Sequence, residues 1–191
     1  MVGILKYKED NMPRQTLEYV SEVANDTGVD SSRLSAIDTT TVLFQNLTNA
    51  VIIEIDDLAG SIGTINWVRH KVVFKGVSTS GKATATVGVY ILNDSNVSLW
   101  SQQHTAPALY TTNEGTIRTT DGSSAWTESS VNSARLKVVY EAESATNDLM
   151  VDYVALIVDY NEPPPETYDS LVQNAHLKTG NVSLKSGNVY I

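Results

Sequence analysis

From residue 40 to residue 160 the chain alternates apolar and polar residues with a period of two, and no helical segment interrupts it. That single feature limits the fold more than any other. Alternation is the mark of strands that bury one face. With no helix between strands there is no βαβ unit and therefore no parallel sheet to build. The segments read as strands are 40–46, 50–56, 64–77, 83–93, 97–102, 116–120, 134–143 and 149–160, with turn signals between most of them. In 64–77, Ile65, Trp67, Arg69, Lys71 and Val73 share one face, and Val68, His70, Val72 and Phe74 the other. Asp121-Gly122 predicts a hairpin turn, since both residue types tolerate positive φ. The run 103–115 reads as an irregular loop. The strand 149–160 is apolar on both faces apart from Asp152, so it belongs at the centre of a sheet with material packed on each side. The expected fold is all-β: an antiparallel, jelly-roll-like β-sandwich over residues 39–160.

The flanks read differently. Residues 1–38 form an N-terminal arm. In it Leu17, Val20 and Val23 recur at helical spacing, Pro13 suits a first turn and Gly28 suits a stop, which predicts one short helix over about 14–25. Polar residues with room for one more helical turn lead from there to the sandwich. Past residue 160, Pro163-Pro164-Pro165 cannot continue a ladder and favours a stiff spacer. Residues 161–191 are thus a Pro-rich linker and an extended tail. The tail ends in two near-copies of one hexapeptide, LKTGNV (177–182) and LKSGNV (184–189). Each is too small to bury its own apolar side, so order in the tail requires a neighbour. Leu177, Val182, Leu184, Val189, Tyr190 and Ile191, with Leu17, Val20 and Val23, are the candidate partner-binding residues of the two arms.

Composition removes several classes of function. The 191 residues include no cysteine, which excludes disulfides, zinc–thiolate sites and thiol nucleophiles. The formal net charge is −9 and no basic cluster occurs, which argues against nucleic acid and anionic membrane as partners. No nucleophile elbow, phosphate loop or His-Glu-x-x-His is present. The three histidines, His70, His104 and His176, fall in separate segments and read as surface or interface residues. Glu54, Asp56 and Asp57, Glu141 and Glu143, and Asp152 and Asp159 match no EF-hand spacing and read as solvated carboxylates, except that Asp152, on an apolar face, reads as held by a structural hydrogen bond. No catalytic residue, metal or cofactor is expected. Trp67, Trp100 and Trp126 could offer faces for a sugar ring to stack on, or could simply fill the core and sheet rims.

The stretch from Trp126-Thr127 through ARLKVVYE to VDYVALIVDY resembles the closing part of small β-sandwich virion proteins of tailed viruses. Those often carry Trp-Thr before a strand and finish on a strand of this pattern. Similar closing strands also occur in carbohydrate-binding modules. The resemblance implies a virion structural protein, either a capsid decoration (cement) protein or a tail or fibre component. It would have no catalytic residues. Its partners would be copies of itself, with trimers suggested by the family, and a major capsid or other virion protein. The runner-up is a carbohydrate- or receptor-binding module whose partner is a glycan.

Overall fold

The computed structural model describes residues 13–38, 40–78, 85–143 and 147–163. Ten strands occur among them: β1 (Arg14–Leu17), β2 (Tyr19–Asn25), β3 (Val42–Phe44), β4 (Ala50–Ile55), β5 (Ile65–Ser78), β6 (Ala85–Leu92), β7 (Ser98–Ala106), β8 (Thr111–Glu114), β9 (Arg135–Glu143) and β10 (Asn147–Tyr160). One sheet, A, has the order β1-β10-β5-β8, with β3 also paired to β10; the other, B, has the order β2-β4-β9-β6-β7. All pairings are antiparallel. If β3 to β10 are renumbered one to eight, the sheets read 1-8-3-6 and 2-7-4-5. This is the jelly-roll sandwich the alternation predicts.

The core lies between the sheets. Sheet A contributes Val42, Phe44, Val68, Val72, Phe74, Leu149, Val151, Val154, Leu156 and Val158, all buried. Sheet B contributes Val51, Ile53, Val87, Val89, Ile91, Leu136, Val138 and Tyr140. Their spacing of two along each strand is the pattern seen in the sequence, so burial of one face selects the register. In β10 a register shift between Val151 and Tyr153 puts one extra residue, the buried Asp152, into the strand. Beyond it Tyr153, Ala155, Ile157 and Asp159 form the strand's outer side, and all four are buried. Tyr153 and Ala155 pack there with Val73 and Tyr110 in a second, smaller apolar cluster.

The expected N-terminal helix is not formed. Residues 14–25 are two strands, one in each sheet, and Leu17 is buried in the core at 2% exposure. The misleading signal has a physical origin. Two register shifts interrupt the β2–β4 pairing, so Tyr19, Glu22 and Asn25 stand opposite Ile55, Ile53 and Val51. The extra residues are Val20 and Val23, three apart, and with Leu17 of β1 they imitate a helical repeat although burial along β2 still alternates with period two. Gly28 does not stop a helix; it takes φ +72° in the turn after β2. The polar stretch that follows does hold a single 3-10 turn, Ser31–Leu34, whose Leu34 is buried in the core. Residues 14–38 are therefore sandwich rather than arm.

Three further local differences matter. The run 103–115 is not a loop: β7 extends to Ala106 and β8 follows at Thr111–Glu114. Asp121-Gly122 does turn, with Gly122 at φ +100° and the Asp121 carboxylate accepting from the Ser123 and Ser124 N–H groups. The flanks make only the isolated bridge Thr120–Ala125, not a ladder. A short helix not expected from the sequence, α1 (Glu128–Asn132), follows, closed by a capping box between Thr127 and Ser130. The first residues of the expected linker remain tied to the body, with Asn161 donating to Thr64 O and accepting from Gly63 N.

Candidate functional site

Among the expected partner-binding residues, Leu17 is core and unavailable to a partner, while Val23 is half-buried in β2. Val20 is 53% exposed. Leu177, Val182, Leu184, Val189, Tyr190 and Ile191 lie outside the described residues.

The three tryptophans do not form one platform. Trp126 is buried at 4% exposure, and its Nε1 donates to Arg118 O at 3.1 Å. Trp100 lies on β7 with the Arg118 guanidinium 4.1 Å from its ring centre. Only Trp67 belongs to the outer face of sheet A. There Arg14 and Arg69 stand 5.2 and 5.1 Å from its ring centre. Their charges are answered locally: Arg14 pairs with Asp159 at 3.0 Å, and Arg69 pairs with Glu114. The same face carries Lys75 over Tyr110 at 4.3 Å and Lys71 over Tyr153 at 5.5 Å. Burial, then the bond from its hydroxyl to Glu18 Oε1 (2.8 Å), raises the Tyr153 pKa above its ordinary value. Outer sheet A is thus a ladder of aromatic rings covered by cationic side chains, a surface suited to stacking and to polar docking.

A cleft of about 470 Å³ opens elsewhere, lined by Val20, Glu54, Asp56, Asp57, Asp94 and Arg135 among others. Arg135 organises it: one nitrogen donates to Glu54 Oε1 at 3.2 Å, another to Asp94 O and to Asn96 Oδ1. Ser21 Oγ holds the second Glu54 oxygen at 2.8 Å. These acids are gathered here because β4 ends and β9 begins beside the turn 93–96. Among the described residues no three His, Asp or Glu side chains converge as a metal would require.

The edge of sheet B is the third feature. β7 pairs with β6 alone, so its other edge takes no strand among the described residues. Its nine residues, SLWSQQHTA, include no Lys, Arg, Asp, Glu or Pro. Edges usually carry such residues to prevent strand addition.

The histidines depart furthest from expectation. His70 is fully buried, His104 nearly so, and their Nε2 atoms are 2.7 Å apart. Sequence alone offers no sign of this, because the two lie 34 residues apart and meet only when β5 and β7 pack across the sandwich.

The class of protein is therefore a two-sheet jelly-roll sandwich. No family model matches the chain, and no curated protein matches it. Solved structures of similar outline include a truncated AlyQ with CBM32 and alginate lyase domains. It is 12% identical with a TM-score of 0.41, over 82% of this chain and 36% of that one. A CBM4 structure is 12% identical with a TM-score of 0.35, over 74% of this chain and 96% of that one. The structure of infectious bursal disease virus Gt strain is 9% identical with a TM-score of 0.35, over 85% of this chain and 41% of that one. The chain thus spans well under half of the AlyQ structure. Likenesses this distant carry no argument about function.

Proposed function

We propose that this chain is a non-catalytic structural subunit of a virion, of the capsid decoration kind, joined to neighbouring subunits by strand addition. The observation that carries the reading is the uncharged, proline-free edge of β7. Main-chain groups on such an edge can pair with an extended segment from another chain. The segment proposed to fill it is the tail 177–191 of a neighbouring copy, which follows a proline spacer and carries apolar residues at Leu177, Val182, Leu184, Val189, Tyr190 and Ile191. Leu184, Val189 and Ile191 would supply the apolar contacts, and the major capsid protein would be the surface beneath. The test is a charge on the edge. Gln103→Lys, at an exposed position, should weaken self-association at least tenfold while leaving the melting temperature within the usual spread for surface substitutions. Unchanged association would refute the docking edge.

A second reading, a glycan-binding module, is favoured by one observation: Trp67 lies half-buried on the outer face of sheet A, with the guanidinium groups of Arg14 and Arg69 against its ring. A glycan array with wild type and Trp67→Ala separates the two. Binding lost in the variant supports the glycan reading, and no binding by wild type removes it. Trp126→Ala is not informative here, because that ring is core.

A further inference from the structure

His70 on β5 and His104 on β7 are a contact between the two sheets at the corner where edge strand β7 meets segment 115–126. The corner is densely built. Gly115 N donates to His70 O at 2.8 Å, and Arg118 exchanges two 2.9 Å backbone bonds with Val68. Thr116 N donates to Gln102 Oε1 on β7 at 2.9 Å. Trp100 lies against His70 with ring centres 5.3 Å apart, and Phe74 faces His104 at 6.1 Å. Gly115 packs so closely on the His70 ring that a Cβ there would stand 2.5 Å from Nδ1.

We propose that the His70–His104 pair is an acid-sensitive latch: proton uptake in mildly acidic solution breaks the imidazole–imidazole contact and frees β7 and segment 115–126 from sheet A. The proton count leads there. The 2.7 Å contact accommodates one N–H between the two Nε2 atoms, and burial disfavours a charge on either ring. Whichever ring donates, His70 Nδ1 is buried with no hydrogen-bond partner among the described residues. A proton added at His70 therefore creates an imidazolium with no acceptor for its new N–H. One added to each ring sets N–H against N–H across the contact. The charged or titratable groups acting on His70 are His104 from β7 and Arg118 from segment 115–126, and both oppose a positive charge. Burial, the larger cause, followed by these two, holds His70 down at about 3, and burial lowers His104 as well.

Both folded values lie below the ordinary 6.5, so the closed corner binds fewer protons than the open one. The contribution to stability is complete above pH 6.5 and is lost as the pH falls below it. Opening of this corner would loosen β7, whose outer edge already takes no strand among the described residues, and uncover the Trp100 ring. The latch belongs to the body of one chain and works whichever partner meets that edge.

The test is hydrogen exchange of the full chain from pH 8 to pH 5, corrected for intrinsic rates, with 50–55 as internal reference. Exchange of 98–106 and 115–126 relative to that reference should be constant above pH 6.5. Below it the ratio should rise by about tenfold per pH unit for each proton taken up. His104→Asn keeps a donor for His70 and removes one titration, so the rise should shrink by half or more. If that variant fails to fold, imidazole proton resonances of the wild type give the same answer: His70 should not titrate in the closed protein. A flat ratio down to pH 5, an unchanged slope in His104→Asn, or a His70 resonance titrating near 6.5 would each overturn the latch.

Discussion

At the scale of single residues, the interior is tuned by contacts no sequence pattern announces. Two glycines show how differently a small residue can be required. A Cβ at Gly115 meets the His70 ring, which is fully enclosed and cannot retreat. A Cβ at Gly88 meets Glu141, with Cγ at 2.7 Å, but this half-buried side chain is unbranched and can rotate away at the cost of its bond from Tyr90. Gly115→Ala should therefore cost about 1–3 kcal/mol in chemical denaturation, as overpacking does. Gly88→Ala should cost clearly less, through disturbance of the bond from Tyr90 to Glu141. That bond, with lesser help from burial, pushes the Tyr90 hydroxyl up to about 12. Equal losses would mean the His70 ring is not confined as described. The histidines also mark the limit of sequence reading. The alternation of 64–77 places His70 with Val68, Val72 and Phe74, and that face proves to be core. A polar residue on an apolar face was visible, but its partner, 34 residues away on another sheet, was not.

At the scale of elements, strands long and apolar enough to carry the alternation past a bulge are legible, as β6 and β10 are, whereas the short bulged β2 is not. β4, β5, β6, β9 and β10 stand where period two places them, because each buries one face against the other sheet. β2 reads as helix because its two bulge residues, Val20 and Val23, fall three apart in line with Leu17. β7 reads short because its later residues, Gln102, Gln103 and His104, are polar on both faces; the inward ones are satisfied by Thr116 N and His70. Helix α1 is only Glu128–Asn132, below the length at which apolar periodicity registers. Its stability rests on its cap, where Ser130 N donates to Thr127 Oγ1 and Thr127 N donates to Ser130 Oγ. Thr127→Ala should cost about 1 kcal/mol by denaturation, while Thr127→Asp should recover most of it. No difference between the two substitutions would show that the cap is not what ends the loop.

At the scale of the whole molecule, the body is a filled sandwich. Sheet A's outer face is covered by its own cations and rings, and the acidic cleft is organised by Arg135. What the body leaves open is an edge, and what the sequence adds outside the described residues is a repeat unable to bury itself. The proposal that the repeat of one copy occupies the edge of another makes assembly and folding separable. The most direct measurement is the mass in solution of the full chain and of the chain lacking 166–191, by sedimentation equilibrium, with thermal unfolding of both. The full chain should be an oligomer and the shortened one a monomer, with the same unfolding transition. Equal masses for the two would contradict the account.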